Sequence, residues 1–139
     1  MNITDTTPTE SNLSGLDRKD FQKNINSRKT DLYILKNAQG MEVAVTNYGC
    51  AILSIMVPDK NGKFANVILG HDSIEHVINS PEPFLSTTIG RYGNRIANGK
   101  FTLYGEEHQL TVNNGPNSLH GGPTGFHARV WDAVQPNES

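Results

Sequence analysis

Short hydrophobic segments separated by turn-forming residues are the feature that most constrains the fold of this chain. Residues 41–46 alternate along the chain, with Met41, Val43 and Val45 on one side and Glu42, Ala44 and Thr46 on the other. That alternation is the period of a β-strand. Residues 51–57 are apolar on both sides, which predicts a strand buried from both faces. The Asn-Gly pair at 61–62 is a strong hairpin signal directly after it.

The same pattern of brief strands and turns extends along most of the chain. We predict further strands at residues 31–36, 66–69, 101–103, 108–112 and 130–134, with turns at 37–40 and 104–107. One short helix is expected at 72–78, with Asp72 as its N-cap and Glu75 three residues on, and a helical turn within 14–24. Many short strands and little helix predict an all-β sandwich or barrel.

Length and charge narrow the possible partners. The chain has 139 residues, the size of one domain, and its 12 basic and 14 acidic side chains give a net charge of -2. Because no broad positive field results, we expect neither nucleic acid nor a membrane as a partner. No apolar run approaches the ~20 residues of a membrane span.

The N-terminal residues differ in character from the rest. Residues 1–12 are polar and rich in Thr, without the basic and apolar regions of a secretory signal, so we expect disorder there and a cytoplasmic location. We divide the chain into a lead-in at 1–29 and a domain at 30–139. Cys50 is the single cysteine, so no internal disulfide is possible.

Two polar, glycine-rich segments interrupt the strands, and the first covers residues 89–99. It holds Arg91, Asn94 and Arg95 between glycines, which places hydrogen-bond donors on a sharply turning backbone. The alternative is that both arginines are surface charges beside a turn, since a glycine-rich loop is a weak motif by itself. A phosphate loop is excluded because the required Gly-Lys-Ser/Thr ending is missing.

The second segment covers residues 113–122 and places His120 before two glycines. A ligand can approach the backbone closely there, and a neutral imidazole can donate to and accept from sugar hydroxyls. The alternative is a histidine satisfied by its local backbone. The five histidines show no metal-ligand spacing, so we expect no metal site: His71, His76, His108, His120 and His127. Phe126 and Trp131 are either sugar-stacking faces or core residues.

Taken together, the two segments resemble the aldose 1-epimerase family. The matching residues are Ile89-Gly90-Arg91, Asn94-Arg95-Ile96-Ala97, Gly99-Lys100-Phe101, Pro116-Asn117-Ser118-Leu119-His120-Gly121-Gly122, Gly125-Phe126 and Val130-Trp131. Upstream, residues 46–50, 59–62 and 67–70 match the opening strands of the family in order. The resemblance extends over residues 30–134.

The resemblance implies a fold, a reaction and a set of binding residues. The fold is all-β, an antiparallel β-sandwich of the galactose mutarotase type, incomplete here and with one short helix. The reaction interconverts the α and β anomers of a free aldose such as galactose or glucose by general acid–base catalysis, with no metal or organic cofactor. Asn94, Arg95 and His120 match the sugar-binding residues of the family, whereas Arg91 is expected to be structural and His127 has no assigned role.

The resemblance also indicates what is missing. In the family, the proton-donating histidine and the base glutamate lie well downstream of the His-Gly-Gly motif, and nothing in residues 123–139 matches them. Glu106 and Glu107 are expected in a hairpin turn and Glu138 in the tail, so none replaces the base. We therefore expect an inactive fragment, a truncated reading frame, or half of a split enzyme whose partner is a downstream half.

Two other functions stay open at this point. One is a non-catalytic carbohydrate-binding module or pseudo-enzyme of the same fold, which keeps Asn94, Arg95 and His120 without turnover. The other is a hexose-phosphate epimerase of similar fold. That activity needs additional basic residues directed at a phosphate, and the near-neutral composition gives it no support.

Overall fold

The computed structural model describes residues 12–136. Its ten strands are β1 (Asn24–Ile25), β2 (Arg28–Lys29), β3 (Leu32–Lys36), β4 (Glu42–Thr46), β5 (Ala51–Pro58), β6 (Phe64–Asn66), β7 (Arg95–Ile96), β8 (Lys100–Leu103), β9 (Glu106–Gln109) and β10 (Ser118–Leu119). The α-helix α1 covers Ile74–Ile78, and 3-10 turns lie at Arg18–Phe21, Ala97–Gly99 and Phe126–Ala128. All strand pairs are antiparallel, so the predicted all-β class is confirmed.

The main sheet has four strands in the order β3-β4-β5-β6. Two side-chain carbonyl or carboxylate groups close its hairpins. The Asn37 Oδ1 accepts from the backbone N–H of Gln39 and Met41, and the Asp59 Oδ1 accepts from those of Asn61 and Lys63. These Asx turns explain why the predicted turn at 37–40 and the hairpin predicted from Asn-Gly at 61–62 are confirmed.

The strand predicted at 66–69 is found earlier in the chain, so its predicted position is wrong. The strand β6 ends at Asn66, whose side-chain oxygen accepts from the backbone N–H of Ile55 and Ile68. That side chain takes the place of a backbone acceptor and ends the ladder. Val67 and Leu69 beyond it are 60% and 77% exposed.

The core lies between the main sheet, α1 and the N-terminal 3-10 turn. It contains Phe21, Leu32, Ala44, Ala51, Leu53, Ile74 and Val77. The predicted alternation in β4 is confirmed, but the fully buried side is Glu42, Ala44 and Thr46, while Val43 and Val45 are half-buried. The prediction that 51–57 is buried from both faces is wrong, because Ile52 is exposed.

The described part of the lead-in packs on this core. Its predicted helical turn is confirmed at Arg18–Phe21, and the Phe21 side chain is fully buried. The Glu42 carboxylate accepts hydrogen bonds from the backbone N–H of Leu13 and Ser14, which fastens the segment to β4. The expectation of disorder at 1–12 falls, apart from Asn12, outside the described residues.

The helix is confirmed, but its predicted cap is wrong. Ser73 is the N-cap, with its Oγ accepting from the backbone N–H of His76. The Asp72 carboxylate instead lies 2.5 Å from the His76 Nδ1, one turn along. A serine hydroxyl at the cap position serves as well as a carboxylate, so the two adjacent residues are alternatives in the sequence.

The C-terminal part is more irregular than predicted. The turn between β8 and β9 is Tyr104-Gly105, so Glu106 and Glu107 lie in β9 and not in a turn. The predicted strand at 130–134 is a single bridge between Tyr48 and Val130. Among the described residues, no helix combines the length and the apolar character needed to cross a membrane.

Candidate functional site

The two glycine-rich segments meet through a short antiparallel pairing. In the register of β7 and β10, Arg95 lies opposite Leu119 and Ile96 opposite Ser118. The Asn113 side chain accepts from the Leu119 N–H at 2.7 Å and donates to its carbonyl at 3.1 Å. The two segments therefore meet in one part of the fold.

Asn94 and His120 are hydrogen-bonded to each other. The His120 N–H donates to the Asn94 carbonyl at 3.0 Å, and the Asn94 N–H donates to the His120 Nδ1 at 2.9 Å. Because a backbone N–H can only donate, Nδ1 carries the lone pair and the ring proton lies on Nε2. The half-buried His120 therefore presents Nε2–H as a donor.

Both residues also adopt a backbone conformation that side chains disfavour. Asn94 has a φ of 62° and His120 a φ of 53°, in the left-handed region. Such a conformation costs on the order of 1–3 kcal/mol per residue and persists where the surrounding structure imposes it. Here one backbone–backbone hydrogen bond and one from the Asn94 backbone N–H to the His120 ring hold the two residues in it.

The Arg95 guanidinium is oriented from two sides. Its Nε donates to the Asn114 Oδ1 at 2.8 Å, and its Nη1 contacts the Asn94 Oδ1 at 3.3 Å. Within the described part of the chain, Nη2 makes no hydrogen bond to protein. An exposed arginine held in a fixed plane with a spare Nη2 offers the N–H donors of that group to a ligand. Asn114 was not among the predicted site residues.

The glycines of both segments let backbone meet backbone. A Cβ on Gly121 would lie 1.9 Å from the Gly90 carbonyl oxygen, and one on Gly125 would lie 2.8 Å from the same atom. A Cβ on Gly90 would lie 2.3 Å from the Phe126 ring. The sequence predicted that a ligand could approach the backbone closely at the glycines after His120. At Gly121, that space is filled by the backbone of the other segment.

A second histidine lies close to the first. The rings of His120 and His127 both contact Phe84 edge-on, at centroid distances of 4.8 and 4.6 Å. His127 is 6% exposed, and its Nδ1 has no hydrogen-bond partner among the described residues. Burial, together with the nearby His120, lowers the pKa of His127. Phe84 and His127 carry no motif, so sequence reasoning did not find them.

Arg95 opens onto a large cleft. The cleft has a volume of about 1210 Å³ and is also lined by Arg91, Tyr92, Phe126 and Trp131, whereas Asn94 and His120 are not in its lining. The Arg91 guanidinium lies 5.8 Å from the centroid of the Phe126 ring, which accounts for Arg91 without a ligand. Trp131 is half-buried and meets Phe126 edge-on at 5.0 Å, so it is neither a core residue nor a free stacking face.

Acidic groups do not pair with the three predicted residues. Within residues 12–136, no carboxylate is hydrogen-bonded to Asn94, Arg95 or His120. Asp132 lines the cleft but pairs with Arg28 at 3.3 Å, and Glu107 pairs with Lys100 at 2.8 Å. Glu138 lies outside the described residues. The described residues also form no cluster of three or more His, Cys, Asp or Glu side chains suited to a metal ion.

Fold and site together define an all-β protein that presents amide, guanidinium and imidazole donors from two paired loops. A profile of the family described as "Aldose 1-epimerase" matches residues 31–139. The chain is 43% identical over 91 residues to "Galactose mutarotase" of Bos taurus and 40% identical over 107 residues to "Aldose 1-epimerase" of Escherichia coli (strain K12). The two matches take in 66% and 77% of this chain. The chain belongs to the aldose 1-epimerase family.

Solved structures agree in fold. An aldose epimerase homologue from C. elegans has a TM-score of 0.73 at 33% identity and takes in 78% of this chain. The galactose 1-epimerase from Lactobacillus acidophilus NCFM has a TM-score of 0.65 at 30% identity and takes in 82%. The chain spans only 26% and 31% of the bovine and bacterial relatives, and 33% of each of these structures.

Proposed function

We propose that this chain carries the substrate-binding part of an aldose 1-epimerase, which interconverts the anomers of a free aldose such as galactose or glucose. The observation that carries the proposal is the mutual hydrogen bonding of Asn94 and His120, with Arg95 fixed beside them. The three residues that the family resemblance selects are the ones that the two loops hold together. Neutral donors with one cation suit an uncharged, hydroxylated ligand.

In this proposal His120 and Arg95 bind and polarise the sugar. Mutarotation opens the ring by removing the proton of the anomeric hydroxyl and protonating the ring oxygen, so negative charge develops on oxygen. The Nε2–H of His120 and the Nη donors of Arg95 stabilise such charge when they are held in advance. His120 is a donor here and not the base, since its Nδ1 is already engaged by the Asn94 amide.

The acid and the base of the reaction are, in this proposal, supplied by a further part of the family domain. Among the described residues, no carboxylate is hydrogen-bonded to Asn94, Arg95 or His120, and the chain spans about a quarter to a third of its relatives. We therefore propose that these 139 residues alone bind an aldose weakly and do not accelerate mutarotation. A downstream half is the proposed protein partner, and the cytoplasm is the proposed location.

Titration with galactose and glucose tests the binding part of the proposal. In ¹H–¹⁵N spectra of the chain, we expect sugar-dependent shifts of the Asn94 amide, the Arg95 Nε–H and the His120 imidazole. His120→Ala should abolish them. His108→Ala is the matched control, because the His108 ring stacks on Phe101 across the β8–β9 hairpin, with centroids 5.0 Å apart, and within the described residues it has no hydrogen bond to Asn94, Arg95 or His120.

The titration also separates the two classes of function. Binding at these residues without any acceleration, even when the downstream half of the family domain is supplied, favours a non-catalytic carbohydrate-binding module. Shifts at other residues with none at Asn94, Arg95 or His120 contradict the assignment of the site.

A further inference from the structure

His127 is buried in a rigid part of the fold next to the proposed sugar site. It lies in the 3-10 turn Phe126–Ala128, where the Ala128 N–H donates to the Gly125 carbonyl at 3.2 Å. The Arg129 carbonyl accepts from the Gly49 N–H at 2.7 Å. A Cβ on Gly49 would lie 2.4 Å from the His127 carbonyl oxygen. The backbone on both sides of the His127 ring is therefore fixed.

The Phe84 ring joins this fixed imidazole to the one that faces the ligand. It meets His127 at a centroid distance of 4.6 Å with an interplanar angle of 61°, and His120 at 4.8 Å with 63°. Phe84 itself is only half-buried and lies in the loop after α1, so its neighbours determine where its ring lies. Edge-to-face contacts of this kind favour one relative ring orientation.

The orientation of the His120 ring needs such support. Its terminal side-chain torsion has two broad minima, and a half-turn exchanges Nδ1 with a carbon atom. One hydrogen bond from the Asn94 N–H opposes that rotation, and the edge-on contact with the Phe84 ring is a second contact that does so. If the ring turned, the Asn94 amide would lose its acceptor and Nε2–H would point elsewhere.

We propose that His127 is a positioning residue for His120: through the Phe84 ring it holds the His120 imidazole in the orientation that accepts the Asn94 amide and leaves Nε2–H for a ligand. The importance of that orientation for sugar binding rests on the proposed function, but the positioning does not. The lowered pKa of His127 agrees with a neutral ring that packs against an aromatic edge.

Long-range ¹H–¹⁵N spectra of the histidine rings test this, recorded without sugar at about pH 8, well above the ordinary histidine pKa of about 6.5, so that free imidazoles are neutral. In the unaltered chain, His120 should show one pattern, with Nε2 protonated and Nδ1 not. In His127→Ala, a ring that turns away from the Asn94 N–H no longer has its tautomer fixed, so the pattern should become an average of the two tautomers. Hydrogen exchange at the Asn94 amide should accelerate by about tenfold. Backbone amides of β4 and β5 report whether the sheet is intact.

Two more variants keep the test decisive. Phe84→Leu retains apolar volume without the ring edge and should produce the same change at His120. It therefore serves as the test if His127→Ala does not fold. His108→Ala, the loss of a comparable ring contact elsewhere, should leave His120 unchanged. A single unchanged His120 pattern in a folded His127→Ala or Phe84→Leu variant overturns the positioning role. A correct pattern in a chain that binds no sugar would instead count against the proposed function.

Discussion

Removing the buried carboxylate of Glu42 should destabilise the chain more than any exposed charge does. The side chain is fully buried and accepts from the Leu13 N–H at 2.8 Å and the Ser14 N–H at 3.0 Å. Hydrogen bonds to charged groups contribute about 1.5–3 kcal/mol each, so the two together amount to ~3–6 kcal/mol. Lys36 adds little because its Nζ lies 3.7 Å away and is partly in water.

We therefore expect Glu42→Ala to lower the free energy of unfolding by about 3–5 kcal/mol, since some of the cost of burying a charge is recovered. Glu42→Gln should cost about half as much, because one amide oxygen remains as an acceptor while the amide NH₂ faces a donor. Glu107→Ala is the matched control. Its exposed pair with Lys100 should contribute less than about 1 kcal/mol.

Urea unfolding followed by fluorescence measures these differences. Trp131 is the only tryptophan, and its backbone N–H donates to the Asn47 carbonyl, so its signal reports on packing beside β4. The expected order of destabilisation is Glu42→Ala, then Glu42→Gln, then Glu107→Ala. If Glu42→Ala costs no more than the exposed control, the carboxylate does not fasten the lead-in to the sheet.

Three further predictions follow from the site. Gly121→Ala should destabilise by about 2–5 kcal/mol in urea unfolding, because the added methyl would meet the Gly90 carbonyl at 1.9 Å from a left-handed φ of 86°. Asn94→Gly should change the free energy of unfolding by less than about 1 kcal/mol, and Asn94→Ala should lower it by ~1–2 kcal/mol. In both variants, calorimetry with galactose should show that binding is lost. Because folding lowers the pKa of His127, the unfolded chain binds the proton at a higher pH than the folded chain does. The free energy of unfolding should therefore fall as the pH drops below the ordinary histidine pKa of 6.5, and level off below the pKa in the folded chain. His127→Leu should remove that part of the slope in unfolding curves measured across this range.

The fold was largely predictable because its signals are local. Turns closed by the Asn37 and Asp59 side chains and the alternation in β4 depend on residues close in sequence. The errors arose where a distant segment decided the outcome. The polar side of β4 is buried because the lead-in covers Glu42, and the strand expected at 130–134 is reduced to one bridge with Tyr48.

The residues of the site also divide into those that the sequence indicated and those that only the structure showed. Asn94, Arg95 and His120 were selected through the family resemblance, and the pairing of their two segments could be seen only in the structure. Asn114, Phe84 and His127 were missed because their roles depend on contacts across the fold and not on spacing. The asparagine-rich run before Pro116 was the one available signal for Asn114, since side-chain amides commonly fasten loops.

Polarimetry of freshly dissolved α-galactose shows whether these residues bind a sugar without catalysing its conversion. We expect that the purified chain does not accelerate the approach to anomeric equilibrium beyond buffer, because within the described residues no carboxylate is hydrogen-bonded to Asn94, Arg95 or His120. When the downstream half of the family domain is co-expressed, we expect acceleration that is lost in His120→Ala but not in His108→Ala. Acceleration by the chain alone that His120→Ala abolishes would refute this expectation, since these residues would then perform both proton transfers themselves.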